Sequence, residues 1–293
     1  MASRLQQHPL AAFFVLTFAI AWGVPGVALL VGPALGVTVS VAGYSPLASV
    51  AVWAPAIAAV TVVGATRGAE GLRAYARRMV HPSGRWPWYA AVLLGIPGVY
   101  LVAALLSAAV GGPPVGVEAG WVAPFVTVSA LRLTQGPVEE LGWRGFALPL
   151  LQRRYSGLTA AVLLGLVWGL WHVPALVVST AEFARGGEAL GVALVRLFVG
   201  FVATSVVVTA VYNGSDGDVP MMVLFHWLTN LPYPWERGAG IPVAQDVLTV
   251  VVALLVVATL GGRYLGREHL ATRVFADEGG DSTWGTPEPP GAP

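Results

Sequence analysis

A series of apolar runs, separated by short breaks rich in Gly, Pro and Arg, bounds what this chain can fold into. The first covers residues 10–31, long enough to cross the hydrocarbon of a bilayer. Further runs cover 46–63, 86–110, 121 up to Arg153 and Arg154, 156–178, 189–212, 219–231 and 243–261. Backbone that spans lipid must satisfy its own hydrogen bonds, and continuous runs of this length do so as helices. The expected fold class is therefore all-α, a polytopic membrane helix bundle of about eight transmembrane helices. Charged residues make up 11% of the chain, against about 25% in soluble domains, which argues against a soluble core. The first run is too long, and followed by too many others, to read as a cleaved signal peptide.

Arginine sets the orientation. Eight spans place both termini on one side. That side collects Arg4, five Arg of residues 67–85, Arg153, Arg154, Arg263, Arg267 and Arg273, against Arg185 and Arg237 on the other. The positive-inside rule makes the first side cytoplasmic. Residues 67–85 read as a short amphipathic cytoplasmic segment. Residues 1–262 form the transmembrane domain, and 263–293 a cytoplasmic tail whose polar, Pro/Gly-rich end predicts disorder. The expected location is a bacterial inner (plasma) membrane. The net charge of +1 gives no ground for a nucleic-acid partner. The absence of cysteine excludes disulfides, thiolate metal sites and a Cys nucleophile.

Within the fourth run lies Gly136-Pro137-Val138-Glu139-Glu140-Leu141-Gly142-Trp143-Arg144-Gly145. Ionisable groups at membrane depth are expensive and mark functional sites. Glu140 and Arg144 are four apart and share a helix face, so they can pair. Glu139 is rotated by about 100° and points elsewhere, leaving one carboxylate free for chemistry. Two later spans carry His172, and His226 with Asn230 four residues on. Counted from Arg153 and Ser156, Glu139 and His172 lie about 20–25 Å deep at 1.5 Å per residue. His226, counted from Asp218, lies only about 12 Å deep. Arg132, Arg196 and Asp246 read as structural or lipid-edge groups.

This set suits hydrolysis. A Glu beside a His can take a proton from water and pass it to a leaving amine. A second His and an amide can donate to a developing oxyanion. HExxH is absent, so a standard zincin is excluded. A proton-coupled transporter, or an immunity or regulatory factor keeping the same fold, is the alternative, but no internal repeat of the kind found in many transporters is evident.

The order Glu139-Glu140-x-x-x-Arg144, Trp168-x-x-x-His172, His226-x-x-x-Asn230 resembles the CAAX-protease and bacteriocin-processing (CPBP) family of intramembrane proteases, whose eukaryotic relatives are the type II CAAX prenyl endopeptidases. The resemblance covers about residues 120–235. It implies a glutamate-dependent intramembrane endopeptidase. Glu139 and His172 would act on water, His226 and Asn230 would form the oxyanion site, and Glu140, Arg144 and Trp168 would support them. Trp168 stands where the family usually has Phe. The family is often labelled metalloprotease. The sequence requires no cofactor; if a divalent metal such as zinc is held, His172 and His226 are its ligands. The implied partners are the lipid bilayer and a peptide or protein substrate, with lipidation left open.

Overall fold

The computed structural model describes residues 4–40, 43–117, 119–178, 190–235 and 241–266. The expected loop carrying Glu182, Arg185 and Glu188, and the tail beyond residue 266, lie outside the described residues. The described residues form a bundle of helices. Helix α1 covers Pro9–Val31, α2 Pro46–Val80, α3 Trp86–Ala109, α4 Val122–Leu133, α5 residues 136–152, α6 Gly157–Val178, α7 Leu190–Gly214, α8 Val219–Thr229 and α9 Ile241–Tyr264.

Six of these, α1, α2, α3, α6, α7 and α9, are long and apolar enough to cross a membrane. Their outward faces carry large apolar side chains: Val15, Leu30, Leu94 and Leu254 are all exposed. That is the inverse of a soluble surface and suits contact with lipid.

The fourth and seventh runs differ from single continuous spans. The fourth breaks into α4 and α5 at Thr134-Gln135, where Gly136 (φ 25°) and Pro137 cannot continue a helix from the preceding turn. α5 is itself composite: a 3-10 turn at Gly136–Val138, an α-turn at Glu139–Gly142, a π-turn at Trp143–Ala147 and a last α-turn at Leu148–Gln152. It is the most enclosed element of the bundle, with Trp143, Arg144, Phe146, Ala147 and Leu148 fully buried. Irregular backbone is tolerated at membrane depth where protein surrounds it. The seventh run, α8, has 11 residues, about 17 Å of helix, short of the roughly 30 Å hydrocarbon core.

Neighbouring helices fix α5 in place. The break is held to α2 by Trp53 Nε1, which donates to the Thr134 carbonyl at 3.1 Å, and by Gln135 Nε2, which donates to Ser49 Oγ at 3.0 Å. Gly142 lies against the backbone of Pro55; a Cβ there would sit 2.5 Å from the Pro55 carbonyl carbon, so α2 and α5 meet only because Gly142 has no side chain. Residues 67–80 do more than line a surface. They extend α2 as helix beyond a turn at Gly68. Tyr75 Oη donates to the Leu141 carbonyl at 2.6 Å, and Arg78 Nη2 donates to the Gly145 carbonyl.

The start of α8 is buried as well. Asp218 caps it, accepting from Met221 N at 2.9 Å. The same carboxylate accepts from Ser83 N at 2.7 Å, Ser83 Oγ at 2.9 Å and Tyr89 Oη at 3.0 Å. Four donors from three parts of the chain thus tie the α2–α3 connection and α3 to the first turn of α8. Around this frame α6 packs along α7, α7 along α9, and α3 touches both α8 and α9.

Candidate active site

Glu139, Glu140 and Arg144 are buried in the middle of α5. The two carboxylates face different partners, as adjacent helical positions must. Glu140 Oε1 accepts from Arg144 Nη1 at 2.9 Å, the pairing that the four-residue spacing predicts. The same oxygen also accepts from His226 Nδ1 at 2.8 Å. Glu140 therefore joins α5 to α8 and is more than a partner for Arg144. Glu139 Oε2 accepts from two indoles, Trp168 Nε1 at 2.9 Å and Trp143 Nε1 at 3.2 Å.

Trp168 also touches Arg144 and both histidines. Its ring lies 4.5 Å below the Arg144 guanidinium carbon, a cation–π contact. Its ring centroid is 5.6 Å from that of His226 and 6.0 Å from that of His172. Its backbone carbonyl lies 2.9 Å from His172 Nδ1.

The hydrogen bonds fix the chemistry left to each imidazole. A carbonyl or a carboxylate can only accept, so Nδ1 carries a proton on both rings. His172 in its neutral form then presents Nε2 as an acceptor. His226 can donate through Nε2 only as the doubly protonated ring, with Glu140 as its counter-ion. Asn230 ends α8, and its backbone carbonyl accepts from Arg132 Nη1.

His172, His226, Asn230 and Trp168 line one cavity of about 520 Å³, together with Tyr100 and Phe201 among others. Glu139 is not part of that wall. It lies one side chain behind, on the indole nitrogen of Trp168. The structure thus brings together His172, His226 and Asn230 at one cavity and attaches Glu139 to it through Trp168.

Catalytic zinc sites use three protein ligands. Here both Nδ1 atoms are already bonded, which leaves two Nε2 atoms, and among the described residues no group of three or more His, Asp or Glu side chains is placed to hold a metal.

Three residues without an expected role in the site contribute to it. Trp143 is four residues after Glu139, the spacing that linked Glu140 to Arg144, and was legible on that ground. Gly136 packs against both donors of α8: a Cβ there would lie 2.4 Å from Asn230 Nδ2 and 2.9 Å from His226 Nε2. The Gly-Pro pair just before the two glutamates marks a turn, though not what it faces. Arg132, expected as a structural or lipid-edge group, is bonded to Asn230 across 98 residues of sequence, which no local pattern reveals.

Residues 120–232 match the family described as type II CAAX prenyl endopeptidase Rce1-like. A curated relative from Methanococcus maripaludis, CAAX prenyl protease 2, is 31% identical over 145 residues, which are 48% of this chain and 53% of that protein. The chain thus spans about half the length of this relative. Over residues 120–232, the stretch that holds all three motifs, the chain is thus similar to the CAAX protease family.

Proposed function

We propose that the protein is an intramembrane endopeptidase that hydrolyses a peptide bond with water activated by Glu139 and His172. The observation that supports this reading is the meeting of an acceptor, His172 Nε2, with the amide of Asn230 and the ring of His226 on one cavity, with a buried carboxylate behind them. Water held in the cavity by His172 Nε2 would lose a proton to the Glu139 oxygen that the indoles leave free, as its own oxygen attacks the scissile carbonyl carbon. The carbonyl oxygen would take the negative charge and accept hydrogen bonds from Asn230 Nδ2 and from doubly protonated His226. Collapse would break the C–N bond, and the proton held by Glu139 would pass to the leaving amine. Donors fixed in a water-poor site stabilise such charge better than they would in bulk water.

The substrate would be a peptide or protein reaching the cavity from the membrane or the cytoplasm. The similarity to a prenyl protease extends to this chain the expectation of a lipidated substrate. The Arg asymmetry supports an inner-membrane orientation with both termini cytoplasmic.

The test is cleavage by purified protein of membrane peptides in prenylated and unmodified forms, beside Glu139→Gln. The amide keeps an oxygen for the two indoles but is no base. Turnover should fall by about 10²–10⁴-fold with the melting temperature near wild type. Equal turnover by Glu139→Gln would sink the glutamate mechanism. No cleavage of any peptide by the wild type would favour a non-enzymatic membrane protein.

A further inference from the structure

We infer that Trp168 is a positioning residue whose indole N–H, with that of Trp143, clamps one oxygen of the Glu139 carboxylate and so fixes the direction in which the other can act. This deepens the endopeptidase reading above and, as a statement about catalysis, rests on it.

The geometry is specific. Both indole nitrogens reach the same atom, Oε2, from two different helices, at 2.9 Å from α6 and 3.2 Å from α5. A carboxylate held by one donor can swing about that bond. One held on a single oxygen by two donors from separate elements has its plane and direction set. The donors are themselves rigid: Trp143 is fully buried and Trp168 is 6% exposed. Trp143 is further wedged between Phe13 and Trp171, with ring centroids at 5.7 and 6.1 Å.

Trp168 also holds the second water-activating group. Its carbonyl takes the Nδ1 proton of His172, which leaves Nε2 of that ring as the acceptor. One residue therefore sets the carboxylate through its side chain and the imidazole tautomer through its backbone. The family that the sequence resembles usually has Phe at this position. Phe would supply the ring face for Arg144 and the aromatic edge for both histidines. It has no N–H and would leave Glu139 with Trp143 alone. Trp at this position is thus a change in how the carboxylate is held, although it reads as a conservative aromatic exchange.

Trp168→Phe tests this, because it keeps the aromatic body and the backbone carbonyl and removes the N–H. Two measurements are made on the purified full chain. The first is steady-state cleavage. We expect kcat to fall about 10- to 100-fold, the range for losing a hydrogen bond to a charged group, with KM within about twofold and the melting temperature within a few degrees of wild type. In a Glu139→Gln background the same exchange should change the residual kcat by less than about twofold, since the group it positions no longer acts. Wild-type kcat in Trp168→Phe, or the same fold loss with and without the Glu139 carboxylate, overturns the inference and leaves the endopeptidase reading standing.

The second measurement needs no activity. The ultraviolet resonance Raman difference between wild type and Trp168→Phe isolates the signal of this one indole. It should report a hydrogen-bonded N–H that becomes unbonded in Glu139→Ala. An N–H unbonded in the wild type overturns the inference even if cleavage is efficient. A bonded N–H in a protein that cleaves nothing overturns the endopeptidase reading, and with it the catalytic part of the inference, while the clamp itself stands.

Discussion

Gly136 is where a single carbon atom separates the fold from the proposed chemistry. In Gly136→Ala the new Cβ would lie 2.4 Å from Asn230 Nδ2 and 2.9 Å from His226 Nε2. Ordinary carbon–nitrogen contact needs roughly 3.4 Å, so Asn230 must retreat by about 1 Å and His226 by about half that. Both obstructing atoms are side-chain ends. They can rotate away without moving a helix, and the fold survives. The φ of 25° adds backbone strain on the order of 1 kcal/mol for an L-residue. The melting temperature should thus drop by only a few degrees. Activity is a different matter: a misplacement of about 1 Å in a positioned group is worth about 10²-fold. We therefore expect kcat to fall about 100-fold, measured beside thermal stability in the same detergent. The loss should be strongly non-additive with Asn230→Ala, since both changes remove the same donor. Wild-type turnover by Gly136→Ala would refute the placement of Asn230 and His226 in the reaction. Loss of the folded protein would show that Gly136 serves the bundle and not the site.

Glu140→Gln should leave Arg144 without a counter-charge and His226 without its carboxylate, at a cost on the order of 3–5 kcal/mol for a buried pair; a lowered melting temperature together with lost turnover is expected, and a fully stable protein would argue against the pairing. Asp218→Ala removes the cap of α8 and the acceptor for Ser83 and Tyr89; the cap alone is worth about 1–2 kcal/mol, so thermal unfolding should show at least that loss, and Asp218→Asn should recover part of it. Reporter fusions at residues 40, 115, 185 and 238 should read outside and those at 75 and 280 inside, and one robust reversal would break the pairing of spans.

What the sequence made legible was whatever is periodic or local. The apolar runs give the helices, and the four-residue spacing gives Glu140–Arg144. The same spacing also relates Glu139 to Trp143, so that contact could be read along one helix. Long-range contacts could not. Nothing in residues 136–145 points to Trp168 as the second donor to Glu139, since the donor comes from another helix 29 residues on. The break between α4 and α5 was signalled by Gly136-Pro137 but hidden by the apolar residues on both sides, which read as one span. The depth of His226 shows how such an error arises. Counting from Asp218 put it about 12 Å in, against about 20–25 Å for His172, although the two were expected at one cavity. That count assumes that Asp218 sits at the membrane surface. Asp218 is 2% exposed and receives donors from Ser83, Tyr89 and Met221. The start of α8 is therefore enclosed by protein, and Asp218 does not mark a solvent-exposed surface from which depth can be counted. The capped start fixes where the 11 residues of α8 carry His226, to the cavity that His172 also lines, and the loss of that cap would be felt at Glu140 through the His226 bond.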